Sequence, residues 1–314
     1  MEPERHTGVG SSAIVASAVD SCDTGDVVTI TPTGVGFGAY VNGVDVSVVP
    51  DDETRNAVQA ALDHHLVLIF RNGPSAATDA QVVAFCSAFG PLRPSLADQS
   101  RMTEHPAINL VANRNLGAVQ GSGGSGALHY HSDLHHEPPL IEFIYLDALR
   151  VPRAGGATVW VDLREAYDAL SEDRKTLIRD LTVRYGLRKD LDFESYFKAS
   201  ATELATRKQS TEVGLVQVNA RTGRKSVWPN AGPQSNHTAQ VVGMDPEQST
   251  ALLTELFDHC TDDRFRYRHH WEAGDACLWH NIQTLHGREA FPEGEVRMMR
   301  HLNILGITDP HQLV

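Results

Sequence analysis

The chain predicts a mainly β fold with flanking helices, an antiparallel barrel or sandwich for which a jelly roll is one solution. Three observations carry this. Short apolar or alternating segments recur along the chain, turn residues separate them, and the few helical repeats lie mostly early and late.

Residues 1–28 are rich in Ser, Gly, Ala and Asp without periodicity, and read as a loosely ordered arm. "VVTITPTGVGFGAYVNGVDVS" (27–47) alternates apolar and small residues, as strands do. "DDETRNAVQAALDHH" (51–65) opens on Asp capping residues and spaces Val58, Ala61 and Leu62 as a helix. "LVLIFRN" (66–72) is a buried strand, and "SAATDAQVVAFCSAFGPL" (75–92) a second helix stopped by Gly90 and Pro91. A loop-rich stretch follows. Its part around 113–127, with "GSGGSGA", is expected to be a mobile active-site loop, because patterned segments flank it. "LIEFIYLDALR" (140–150) is a strand, and 154–181 reads as turn, strand and helix. Residues 183–243 alternate short strands with turns, and "DPEQSTALLTELFDHCTD" (245–262) is a helix. "DACLWHNIQTLHGR" (275–288) and "EVRMMRHLNILGI" (295–307) are the closing strands, so 29–314 form one domain.

Composition narrows the function. The chain has 314 residues and 41% hydrophobic content, enough for a substantial core. No apolar run approaches the ~20 residues that cross a bilayer, and no signal peptide is visible, so a cytoplasmic protein is expected. Net charge is −13, which opposes binding to nucleic acid or to an anionic membrane. Cys22, Cys86, Cys260 and Cys277 are scattered without a CxxC pair, and read as reduced thiols. A small-molecule substrate is the expected partner, and a homo-oligomer, dimer or tetramer, is compatible with the chain.

The chemistry concentrates in "LHYHSDLHHEPPL" (128–140), which holds more candidate ligands than one metal needs. On a strand, side chains at i and i+2 share a side, so His131 and Asp133 face together and His129 could join them. A third ligand from elsewhere would complete a two-histidine, one-carboxylate facial triad, the arrangement of non-haem Fe(II) oxygenases. Other pairings stay open. His131 and His135 stand at i, i+4, but HExxH is absent and Pro138–Pro139 truncates any helix; a zinc hydrolase on this cluster lacks a base and a third ligand. Near the end of the chain, His286 and Arg297 flank a turn at Pro292–Gly294, placing a histidine and a cationic fork on neighbouring strands of one cavity.

From about Ile30 to Gly306 the chain resembles the taurine dioxygenase (TauD/TfdA-like) family of Fe(II)/2-oxoglutarate-dependent oxygenases. The likeness rests on "FCSAFGPL", "YHSD", "PRAGGATVWVDLREAYDAL", "TGRKSVWPN" and "GDACLWHNIQTLHGRE" in the family's order, with Arg297 correctly spaced after His286. The resemblance implies a double-stranded β-helix, a jelly roll. It implies that His131, Asp133 and His286 ligate Fe(II), that Arg297 pairs with the distal carboxylate of the cosubstrate 2-oxoglutarate, that Thr158 adds a hydroxyl there, and that Trp160 lies nearby. The implied reaction consumes O2, releases succinate and CO2, and oxidises an unactivated C–H bond of a small molecule. Hydroxylation is the usual outcome. Desaturation or oxidative cyclisation in natural-product tailoring is the alternative on the same site, and a non-catalytic metal- or ligand-binding module the alternative of another class. Related halogenases lack the carboxylate that Asp133 supplies, which argues against halogenation.

The chain departs from the family where a substrate arginine stands four residues past the 2-oxoglutarate arginine. Here that residue is His301, and Arg300 points the other way by strand alternation. His280 replaces the Asp of "WDN". A sulfonate is therefore not the expected substrate; an amino-acid-like, nucleoside-like or natural-product molecule fits better. His301, Trp228, His135 and His136 are the candidates for contacting it, with Trp228 equally readable as core. Arg188 and Lys189 read as solvated.

Overall fold

A computed structural model describes residues 27–71, 77–94, 100–187, 210–230, 232 and 237–305. The N-terminal arm, except for its last two residues, and Arg188 and Lys189 lie outside the described residues.

Two β-sheets face one another. The larger runs in the order β1 (Thr29–Pro32), β2 (Ala39–Asn42), β3 (Val67–Phe70), β16 (Ala276–His280), β8 (Phe143–Arg150), β18 (Met298–Ile304), β5 (Ile108–Ala112), β6 (Ser122–Gly123), with β4 (Leu92–Arg93) also pairing β18. The smaller runs β15 (Arg266–His269), β9 (Thr158–Asp162), β17 (Thr284–Arg288), β7 (Leu128–His131). Trp160, Trp279, Ile144, Met299 and Tyr267 from both sheets fill the space between them. This is the expected jelly roll. A flanking three-stranded sheet orders β11 (Thr211–Gly214), β10 (Thr182–Leu187), β14 (His237–Val241), and β12 (Val216–Val218) pairs β13 (Lys225–Val227).

Two helices cover the outer face of the larger sheet. α1 (Asp52–His65) starts where Asp51 accepts from the Thr54 amide at 2.8 Å, and α2 (Asp79–Ser87) starts on a reciprocal Thr78–Gln81 capping box. Val58, Leu62, Val82 and Phe85 from these helices pack on Phe143, Tyr145, Leu302 and Ile304. β18 is consequently buried on both faces. Leu302 and Ile304 meet the helices, whereas Met299 turns to the interior. α3 (Leu163–Asp168), α4 (Glu172–Ile178) and α5 (Pro246–Cys260) pack with the flanking sheet around Tyr185, Trp228 and Leu256.

Two expectations are corrected. Residues 275–288 form two strands in different sheets, because the chain turns a corner at Asn281–Gln283, where the Asn281 amide bonds Glu142 O at 2.8 Å. His286 and Arg297 are likewise not on neighbouring strands: β17 and β18 belong to opposite sheets, and Arg297 precedes β18. The stretch 113–127 carries β6, and Arg288 ties it down by donating to the Gly123 carbonyl at 2.7 Å and to the Gly126 carbonyl.

Arg300 shows what alternation on β18 achieves. Its guanidinium reaches outward to both oxygens of Asp147, to Asp79 at 2.9 Å and to Ala77 O at 2.8 Å. Burial pushes the Asp147 carboxyl up, and only Arg300 opposes that. Arg300→Ala leaves Asp147 buried without its cation, and is expected to lower the unfolding free energy by ~3–5 kcal/mol. Urea unfolding measures this; a loss under ~1 kcal/mol, the range of exposed pairs, contradicts it.

Candidate metal centre

The site begins with a strand pairing. β17 runs antiparallel to β7 with His286 directly opposite His131, so both imidazoles rise on the same face, ring centroids 4.3 Å apart. The register slips between this pair and Arg288–Leu128, a β-bulge that adds a residue to β7 beside the ligands. Only glycine fits at 287, since a Cβ there would stand 2.9 Å from Leu128 O and 3.3 Å from the Tyr130 ring. Asp133 follows β7. Its Oδ1 lies 3.2 Å from His131 Nε2 and 3.8 Å from His286 Nε2. The three side chains offer ligand atoms all within 4.8 Å of one another.

Protonation suits an ion. His131 Nδ1 donates to the carbonyl of His129 at 2.7 Å, which orients the ring so that Nε2 faces Asp133. Burial raises the Asp133 pKa, but the hydrogen bonds from His131 and His301 outweigh it, holding the carboxyl well below its ordinary range. Burial, then the neighbouring His131, lower His286 to about 3, so it stays neutral. For His131, burial acts downward but the Asp133 carboxylate wins and raises it. Two imidazoles and one carboxylate are the ligand set of non-haem Fe(II) oxygenases, a set that leaves coordination positions for other ligands.

The backbone that carries Asp133 is clamped by two remote asparagines. Asn230 Oδ1 accepts from the Ser132 amide at 3.1 Å, and its Nδ2 donates to Ser132 O at 3.2 Å. Asn281 repeats this on Asp133: Oδ1 accepts from its amide at 3.0 Å and Nδ2 donates to its carbonyl at 3.0 Å. Both asparagines are buried. They stand at the ends of "KSVWPN" and "WHN", which explains why those two segments belong to the same constellation.

Arg297 lies across the interior. It is 2% exposed, and among the described residues no carboxylate pairs with it. Its Nε donates to Gly156 O at 3.1 Å, Nη2 reaches Thr158 Oγ1 at 3.4 Å, and Trp271 lies against it at 5.9 Å. Gly156 sits at φ +70°, and a Cβ there would press on Arg297 Cδ at 3.3 Å, so the double glycine makes room for this arginine. Trp271 Nε1 also donates to Thr158 Oγ1 at 2.9 Å, which leaves the threonine proton for another acceptor. Burial and Arg288 lower the Arg297 pKa to about 9, and an anionic ligand would relieve that strain.

The remaining candidates fall into place by contact. Trp160 pairs opposite His286 and packs on Trp279 and Tyr267 in the core beneath the ligands. Trp228 is 1% exposed, and its indole N–H donates to Ser132 Oγ at 2.8 Å, so it braces the metal loop. His301 Nε2 bonds Asp133 Oδ2 at 2.8 Å, which engages it with the ligand carboxylate. His129 is exposed. His135 and His136 pack against His237, not among the three ligand atoms of the triad. His280 joins a buried polar network, 3.3 Å from Asn219 Nδ2 and 4.0 Å from Glu142, which Arg221 and Asp63 complete. Sequence reasoning missed Asn230, Asn281, Trp271 and His237. The two asparagines were visible inside quoted motifs; Trp271 and His237 carry no local signal.

A jelly roll that gathers His-X-Asp and a distant histidine opposite a buried arginine defines a non-haem Fe(II)/2-oxoglutarate-dependent dioxygenase, using O2 as its second cosubstrate. The chain belongs to the taurine catabolism dioxygenase TauD, TfdA family, whose profile matches residues 28–302. It is 30% identical to pentalenolactone F synthase of Streptomyces arenae over 285 residues, covering 87% of this chain and 94% of that protein. It is 29% identical to the alpha-ketoglutarate-dependent 2,4-dichlorophenoxyacetate dioxygenase of Cupriavidus pinatubonensis, covering 86% and 94%. Its fold matches the crystal structure of AAD-2 in complex with Mn(II) and N-oxalylglycine with a TM-score of 0.71 and 27% identity, covering 90% and 99% of the two chains. No described helix is long and apolar enough to cross a membrane.

Two outcomes follow from these contacts. Asn281→Ala removes both anchors of the Asp133 peptide, and should weaken Fe(II) binding by about 10- to 100-fold, as loss of a ligand's supporting partner does elsewhere. Anaerobic Fe(II) titration reads this, and an unchanged affinity contradicts the clamp. His280 sets a pH dependence. Burial, then the Arg221 charge, lower it from the ordinary 6.5 to about 3. The unfolded chain therefore takes up a proton below 6.5 that the folded chain refuses. The stability contributed is full above 6.5 and is lost as pH falls toward 3, by up to about 1.4 kcal/mol per pH unit. Metal-free protein carrying His280→Gln should show a shallower loss between pH 7 and 5 in urea unfolding; an equal slope in both proteins rejects the assignment.

Proposed function

We propose that the protein oxidises an unactivated C–H bond of a compact, largely apolar small molecule, with His131, Asp133 and His286 as the iron ligands. The observation that carries this is the pairing of a ligand trio, its donor atoms within 4.8 Å of each other, with a buried arginine that has no carboxylate partner among the described residues. When bound, Fe(II) supplies the redox-active Lewis acid at which O2 and 2-oxoglutarate react. The chain supplies orientation and charge. Asp133 stays ionised because His131 and His301 hold it so. Arg297 offers a guanidinium fork to the distal carboxylate of 2-oxoglutarate, and Thr158 donates the proton that Trp271 and Arg297 leave free. Trp160 and Trp279 beneath the ligands keep the floor of the site dry.

Two observations support an apolar substrate. The position that would carry a second arginine is His301, which is engaged with Asp133, so no second guanidinium stands there for a strongly anionic group such as a sulfonate. Relatives that act on 2,4-dichlorophenoxyacetate and on (S)-phenoxypropionate match most of the chain, and apart from one carboxylate those substrates are apolar aryl ethers. A second outcome on the same site, desaturation or oxidative cyclisation in natural-product tailoring, is favoured by the 30% identity to a pentalenolactone F synthase.

A panel of aryloxyalkanoates and polycyclic terpenoid acids, read by succinate release, tests the proposal. Mass spectrometry then separates gain of one oxygen from loss of two hydrogens. Arg297→Lys keeps the charge but loses the fork, and should raise the KM for 2-oxoglutarate at least about 10-fold, the equivalent of ~1.4 kcal/mol. An unchanged KM removes Arg297 from the cosubstrate site.

A further inference from the structure

The histidines that the iron site does not use form a second constellation. His135, His136 and His237 each present a ring nitrogen, all within 4.8 Å of one another, with ring centroids 4.5 Å (135–237), 4.2 Å (136–237) and 5.3 Å (135–136) apart. His135 and His136 are 2% and 5% exposed. The chain reaches this place by turning at Leu134, whose φ of +49° is a costly conformation for a branched side chain. Beyond that turn the ligands divide: His131 and Asp133 gather with His286, and His135 and His136 with His237.

The second nitrogen of each of these two rings is already committed. His135 Nδ1 lies 3.0 Å from Ser132 O and donates to it, which leaves Nε2 with the lone pair. His136 Nε2 lies 3.2 Å from Glu137 Oε1 and donates to it, which leaves Nδ1 with the lone pair. Glu137 is held in turn by Arg93 at 2.7 Å. Both lone-pair nitrogens, His135 Nε2 and His136 Nδ1, are buried and have no hydrogen-bond partner among the described residues. A carboxylate or carbonyl that orients an imidazole from behind, with a bare nitrogen in front, is the supporting arrangement of histidine metal ligands. A hydrogen-bonded polar core would instead pair those nitrogens.

We propose that His135, His136 and His237 form a second metal site, distinct from the iron triad, that takes a divalent cation with a preference for imidazole nitrogen such as Zn(II). Three neutral nitrogens suit Zn(II) and leave a fourth position for water or a ligand oxygen. The ion ties the segment after Asp133 to the first residue of β14, and so fixes one wall next to the iron site. Glu137 is the positioning residue for His136. This reading goes beyond the dioxygenase activity and does not depend on it.

The test uses the full chain stripped with chelator and titrated with Zn(II) alone. The wild type should bind two equivalents, because Zn(II) also enters the iron triad. Asp133→Ala should keep one, and His237→Ala should keep one while retaining Fe(II) affinity. Loss of one of its ligands should weaken the second site by at least about 100-fold, beyond the effect of losing only a supporting contact. Co(II) added to Asp133→Ala should give the intense visible absorption of a tetrahedral nitrogen-rich site, and adding His237→Gln should abolish it. Should His237→Ala fail to fold, the Co(II) spectrum of Asp133→Ala alone decides. One equivalent in the wild type, its loss in Asp133→Ala, no tetrahedral Co(II) spectrum, or uptake of formate in place of metal each overturns the proposal.

Discussion

The backbone of Ser132 and Asp133 is held at four points by the side-chain amides of Asn230 and Asn281, and the geometry of the metal centre depends on that grip. A ligand carboxylate just past the end of a strand has no ladder to fix it. β7 ends at His131, so Asp133 lies where the chain is otherwise free to turn. Two asparagines, each both donating and accepting, do for these residues what a neighbouring strand would have done. The grip also reaches outward. Asn281 donates to Ile141 O at 3.1 Å, and Trp228 and Thr284 share the hydroxyl of Ser132. The loop is thereby welded to the corner between the sheets and to the flanking helical layer. Ser132 and both asparagines are buried, so leaving one of their polar groups unpaired costs ~1–3 kcal/mol, which is why the arrangement has few alternatives.

The same corner explains how the two halves of the site come together. β16 and β17 are consecutive in sequence but lie in facing sheets, and Asn281 stands at the crossing between them. The strand pairing with β7 brings His286 against His131, and the crossing sets Arg297, ahead of β18, on the opposite wall. Arg297 thus comes in from the larger sheet's side to meet Thr158 on the sheet that carries His286, and Trp160 and Trp279 pack beneath the pair. A single hairpin carrying both would have put them side by side on one surface, with no enclosed volume to exclude water.

Much of this was legible in the chain. Period-two alternation marked the strands, Asp and Thr caps marked the helices, and i, i+2 spacing put His131 and Asp133 together, because each of these signals is local. What escaped was non-local. The sheet membership of β17 and β18 is decided by a corner of three residues, and a run such as "ACLWHNIQTLHGR" looks continuous because both of its strands are apolar. Trp228 and His301 are a subtler case. Residue type marked them as pocket candidates, but their contacts with Ser132 and Asp133 depend on a loop whose path only the fold reveals. The substrate arginine of related enzymes and His301 occupy the same strand position, yet the imidazole is short enough to bond the ligand carboxylate.

The density of histidines in "LHYHSDLHHEPPL" finds its reason in Leu134. Had the strand continued, alternation would have put His135 on the side of His131 and Asp133, crowding one ion with three imidazoles and leaving His136 alone. A left-handed residue breaks the alternation once. His135 then folds back so that its ring bonds the carbonyl of Ser132, and the Glu137 amide closes the turn on Leu134 O at 3.0 Å. That strained residue is tolerated because both sides of it are fixed, by Asn281 before and by Arg93–Glu137 after. The proposed iron ligands His131, Asp133 and His286 thereby stay a set of two imidazoles and one carboxylate. The displaced imidazoles stay buried, oriented and unpaired, a state that burial alone makes unfavourable and that a cation would resolve.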